Sequence, residues 1–120
     1  MRQKDRDNVV LWKSMEFAVR IVKLYGYLCD EKREHIMSKQ LLRSGTSVGA
    51  NIRESVYAQS DNDFISKMSI ALKEASETAY WLELLDKTDY LTSEQYESIQ
   101  ADCTELLKLL TTITRKRKES

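Results

Sequence analysis

The chain has 120 residues, of which 42% are hydrophobic and 32% charged, and its 19 basic and 19 acidic side chains cancel. That length holds one core of ordinary size and excludes a multidomain enzyme, while the balanced charge and a mean hydropathy of −0.52 exclude an acidic or basic disordered tail. Proline is absent and glycine occurs only at Gly26, Gly45 and Gly49, so the turn chemistry that closely spaced strands require is missing, which argues against an all-β fold.

No stretch approaches the roughly 20 apolar residues that span a bilayer. The first seven residues, Met1 to Asp7, carry no apolar run of signal-peptide type. A cytoplasmic protein with no membrane partner is expected. Cys29 and Cys103 lie far apart among apolar residues and read as two buried thiols rather than a disulfide, redox pair or zinc site.

The first helix is predicted over about residues 8–29, where Val10, Ser14, Phe17, Ile21, Leu24 and Leu28 recur at alternating steps of four and three. Beside them Leu11, Met15, Ala18, Val22 and Tyr25 form a second stripe that is expected to widen the buried face, with Lys13, Glu16, Arg20 and Lys23 on the wet side. Asp30 to Glu34 then reads as a short connection or the solvated first turn of the next helix.

The second helix, about 36–59, carries Leu41, Gly45, Val48, Ile52 and Val56 on one side and includes the run from Arg43 to Asn51. A phosphate-cradling loop would need a strand before this run and a lysine after Gly49, and neither is present. Gly45 and Gly49 are four apart, on one helical face, where they let another helix approach closely. Each costs about 1 kcal/mol of helix propensity relative to alanine, which close packing must offset.

The third helix, 61–87, opens after Ser60 or Asp61 as cap and keeps an unbroken stripe of Phe64, Met68, Ala71, Ala75, Thr78, Leu82 and Leu85. Capping explains Asp61 and Asp63 without calcium, since no loop of EF-hand pattern follows. Thr92 and Gln95 form a capping box for the fourth helix, 93–115, whose stripe is Tyr96, Ile99, Cys103, Leu106, Leu110 and Ile113 before it fades into Arg115 to Lys118. Four helices of 20 to 27 residues with short connections predict an all-α, up-down-up-down antiparallel four-helix bundle spanning residues 1–120 as one domain.

A di-iron bundle would need Glu-x-x-His on two helices, and a Ser-His-Asp or Cys-His set would also need a histidine. The single histidine, His35, sits in the charged first connection, so no catalytic, cofactor or metal site and no small-molecule substrate is expected. Asn51 and Glu54 lie one turn apart on the second helix, and Glu74 and Glu77 one turn apart on the third. An acid/base or cation site could use them, but a partly buried polar cluster that sets helix register is the simpler account, with Lys73 and Arg53 as candidate counter-charges.

Charge is segregated along the chain. Residues 1–60 hold 11 basic and 7 acidic groups (+4), residues 61–105 hold 3 and 11 (−8), and residues 106–120 hold 5 and 1 (+4). Opposed patches on a rigid bundle favour self-association. Tyr57, Tyr80, Trp81 and Leu84 fall off the core-facing lines and are the candidate oligomer interface. RNA binding is the alternative, through Arg43, Arg53 and the tail Arg115, Lys116, Arg117 and Lys118, although an isoelectric point of 6.6 is low for a strong nucleic-acid binder.

The segment from Ser47 to Glu54 (Ser-Val-Gly-Ala-Asn-Ile-Arg-Glu), with Ile70 to Thr78 and Tyr80-Trp81-Leu82, resembles the four-helix-bundle proteins of the 23S rRNA intervening-sequence family. The likeness extends to Gln40–Ser44 and Tyr90–Thr92, and so over nearly the whole chain. Many members have glycine where this chain has Ser55, and Gly-Ser at Lys73-Glu74, which suggests a subgroup. The resemblance implies a bacterial up-down bundle that assembles into a ring, commonly a pentamer, with a role connected to RNA or the ribosome.

Overall fold

A computed structural model describes residues 3–119, with side chains described from Val9 onward; Met1, Arg2 and Ser120, the ends of the expected domain, lie outside the described residues. Four helices follow one another: α1 (Gln3–Asp30), α2 (Met37–Ser55), α3 (Asp61–Lys87) and α4 (Ser93–Glu119). They lie along a body of 46 × 22 × 18 Å, close to the roughly 40 Å that 27 helical residues span. The seams are α1–α2, α2–α3, α3–α4 and α1–α4, so the helices form a square in chain order.

Cross-seam pairs set the directions. Ser14 lies beside Gly49 and Ile21 beside Gly45; Ser44 meets Thr78 and Glu54 meets Lys67. Cys103 meets Ala75 and Arg117 meets Asp61, while Lys13 meets Glu105 and Arg20 meets Asp102. Numbers rise on one helix as they fall on its neighbour at every seam, which is the up-down-up-down bundle.

The core follows the inward stripes. Val10, Phe17, Ile21 and Leu28 of α1, the whole predicted α3 stripe, and Ile99, Cys103, Leu106, Leu110 and Ile113 of α4 are buried. The two glycines of α2 do what their spacing predicts: a methyl on Gly45 would come within 2.8 Å of the Ile21 side chain, and one on Gly49 within 3.4 Å of Ser14. Ser60 caps α3 by accepting from the Asp63 amide at 3.0 Å, and Thr92 and Gln95 exchange hydrogen bonds at 2.8 and 3.1 Å ahead of α4.

Five expectations need correction. Met15 and Val22 do not widen the buried face of α1; both are about half exposed. Val56 is exposed because α2 ends at Ser55, four residues early, where Val56, Tyr57 and Ala58 donate to the carbonyls of Arg53, Glu54 and Ser55 and tighten the last turn. α4 runs through the basic tail to Glu119 instead of fading at residue 115. Cys103 is buried, but Cys29 is only partly so. Glu34, read as part of a solvated connection, is 93% buried in effect, with 7% of its surface exposed.

Glu34 is in fact the cap of α2. Its carboxylate accepts from the backbone N–H groups of Ile36, Met37 and Ser38 at 3.0, 2.9 and 2.8 Å, neutralising three of the four orphan donors at that helix start. Burial pushes its carboxyl up, but the three amides together outweigh that and hold it below the ordinary glutamate value. Arg33, at φ 55°, turns the chain back so that Glu34 points into the helix end.

Candidate functional site

The polar cluster does not form as one group. Asn51 donates to the Ser47 carbonyl of its own helix at 2.9 Å, and Glu54 meets Lys67 at 3.7 Å. Glu74 and Glu77 lie two to three turns away along the seam and are both clamped by Arg43, with 3.1 Å from its guanidinium to Glu74 and a closer contact to Glu77. The counter-charges are therefore Arg43 and Lys67, in place of Arg53 and Lys73. The antiparallel register of α2 and α3 decides this, because it brings residue 43 opposite residue 77 and residue 54 opposite residue 67.

Trp81 Nε1 also donates to Glu77 at 2.9 Å. This indole bond, ahead of the Arg43 guanidinium, holds the Glu77 carboxyl below its ordinary range against the partial burial that raises it. One step inward, the Thr78 hydroxyl donates to Ser44 Oγ at 2.9 Å in a buried bridge between the same helices. The clamp is thus a register lock. Each carboxylate already has a cation, and among the described residues no three His, Cys, Asp or Glu side chains converge as metal ligands. Burial pushes the Cys103 thiol up to about 12, so at neutral pH it is protonated and donates to the Ala75 carbonyl.

The four candidate interface residues fall into two places. Tyr57, 79% exposed, sits at the α2–α3 turn, while Tyr80, Trp81 and Leu84 lie more than four helical turns up α3. Tyr80 is exposed and stacks edge-on against Trp81 at 5.0 Å between ring centroids; Trp81 and Leu84 are half-buried. A larger apolar feature lies on α1. Trp12, Met15, Val19 and Val22 are exposed by 70%, 51%, 47% and 51%, in steps of three, four and three along one outward face. That face borders a groove of about 280 Å³ between α1 and α2, floored by Ala18, Gly49 and Ala50.

Of the candidate RNA-contacting residues, Arg43 is held in the clamp and Arg117 lies 4.0 Å over the Phe64 ring while pairing with Asp61 at 3.0 Å. Arg53, Arg115, Lys116 and Lys118 are exposed. Arg53 and the α4 tail lie at the end of the bundle that holds the α2–α3 turn.

A chain with paired charges across its seams, small residues at its tightest contact and unpaired apolar side chains turned outward is a helical bundle whose distinguishing chemistry is on its surface. It belongs to the 23S rRNA-intervening sequence protein family, whose sequence model matches residues 6–112. Among solved structures it is similar to a crystal structure from Bacteroides thetaiotaomicron, described as a protein with unknown function from the S23 ribosomal protein family. The two share 64% identity and a TM-score of 0.90, over 92% of this chain and 98% of that one. No curated protein matches.

Proposed function

We propose that the protein is a non-enzymatic assembly or adaptor module that works as a homo-oligomer in the bacterial cytoplasm, its whole length acting as one domain. The observation that carries this is the row Trp12, Met15, Val19 and Val22, four large apolar side chains held outward at coiled-coil spacing on a helix whose other face already fills the core. In water such a row is stabilised by being covered, at about 25 cal/mol for each Å² of apolar surface removed. Family resemblance favours a ring, with five copies the expected number. Light scattering coupled to size exclusion at micromolar concentration tests it: a mass several times 14.0 kDa is expected, and a monomer refutes the proposal.

A second reading, RNA or ribosome association, is favoured by the exposed Arg53, Arg115, Lys116 and Lys118 at one end of the bundle and by the family's name. Affinity for structured RNA that falls steeply between 50 and 200 mM salt is its expected signature, in the range of about 10³-fold for six phosphate contacts. Affinity that is absent at low salt, or indifferent to salt, counts against it.

A further inference from the structure

We infer that the outward row of α1 packs against the outward row of α3 on a second copy of this chain, a contact between two different faces. This rests on the assembly reading above and names the surface that the α1 row meets.

Two exposed apolar rows exist on the long faces of the molecule. On α1 the outer members are Trp12 and Val22, ten residues apart; on α3 they are Ile70 and Tyr80, also ten apart. The bundle's own pairs show that the rows stand level. Ile21 packs beside Gly45, whose neighbour Ser44 bonds Thr78; lower down, Ser14 packs beside Gly49, five residues from Glu54, which meets Lys67. Counting along the helices at 1.5 Å per residue puts Val22 at the height of Tyr80 and Trp12 at the height of Ile70, to within about half a turn. α1 and α3 also run in the same direction. Rotation about an axis parallel to the helices keeps heights unchanged, so it brings Trp12 to Ile70 and Val22 to Tyr80 of the next copy together.

The flanking charges fit the same register. Glu16 stands at the height of Lys73 and Lys23 close to that of Glu83, and all four are exposed. Across the contact each carboxylate would therefore meet an ammonium and no like charges would face each other, which favours this pairing of faces over α1 against itself. Gly26 adds a separate indication. A methyl there would meet nothing within 4 Å in its own chain, so intrachain packing gives no reason for a residue that costs the helix about 1 kcal/mol. At its height stands Leu84, half-buried on α3, whose side chain can seat on a bare backbone of the neighbouring copy. A contact between unlike faces that repeats by rotation about an axis along the helices closes into a ring.

Cysteine pairing between two separately prepared populations tests this in a Cys29→Ser background, with one population carrying Val22→Cys and the other Tyr80→Cys. Both positions are exposed, and circular dichroism checks that the helices remain. Under mild oxidation the mixed populations should form a covalent dimer of one copy of each, and each population alone should stay uncrosslinked. A Val22→Cys copy that links to its own kind overturns the inference in favour of a self-complementary α1 contact. Assembly seen by light scattering with no covalent dimer in the mixture overturns it while leaving the assembly reading standing. Monomers throughout overturn both.

Discussion

α1 and α4 are similar in length and face the same core, yet their outer faces differ. α4 turns Glu94, Glu97, Ser98, Thr104, Glu105 and Lys108 to solvent, whereas α1 turns out Trp12, Met15, Val19 and Val22. Their inward stripes are of equal quality, both running in steps of three and four through fully buried side chains. The inward stripe therefore reports only that a helix belongs to the bundle. What the helix meets on its other side is written in the outward residues: water for α4, and in the assembly reading a second copy for α1.

Substitutions that treat the two faces separately sharpen this contrast. The largest effect is expected inside. Phe17→Ala on α1 and Leu106→Ala on α4 each remove a side chain that is 1% exposed and should lower unfolding free energy by about 2–5 kcal/mol, seen in urea titration, with neither helix favoured. If the α1 variant cost far less than the α4 one, the two inward stripes would not be equivalent.

The helices that follow and open these two elements differ in another way. α2, entered directly from α1, is capped by a buried carboxylate, and α4 by the neutral Thr92–Gln95 box. Glu34→Gln should cost about 1–2 kcal/mol, since it exchanges a charged acceptor for a neutral one at a helix start. The pH dependence has a definite sign. Because the folded carboxyl is held below its ordinary value of about 4.3, its contribution is complete above that pH and is lost as pH falls through the lowered value. Acid titration of stability should therefore be shallower in the variant, and an unchanged titration curve would count against the cap.

The smallest effect is expected where α1 and α4 meet. Arg20 pairs with Asp102 at 2.7 Å and also reaches Ser98, but both charged side chains are about 40% exposed or more. Arg20→Ala should cost under about 1 kcal/mol, and salt should erase most of that difference.

The sequence makes α3 and α4 legible almost completely, because their stripes alternate without a break and their caps are local patterns. The outer row of α1 is harder to place. Val10, Leu11 and Trp12 are consecutive, as are Ile21 and Val22, so apolar residues cover most of the helix and periodicity cannot separate a wider core face from a face that meets another chain. Glu34 is hidden for a different reason. It sits in the charged run from Asp30, and the backbone turn at Arg33 that aims it into α2 has no glycine or asparagine to announce it. For the carboxylates, the one-turn spacing of Glu74 and Glu77 is readable, while the partner is not: a sequence does not carry the axial register of two helices, and that register selects Arg43 over Arg53.

The central claim, that the outer face of α1 is covered by another copy and that of α4 is not, is tested most directly by sedimentation equilibrium of three proteins: the unaltered chain, Trp12→Asp with Val19→Asp, and Ala101→Asp with Thr104→Asp. Unaltered and α4-altered chains should both sediment as the same multimer, and the α1-altered chain as a folded 14.0 kDa monomer with its helical content intact. An α1-altered chain that assembles as well as the unaltered one would contradict the account.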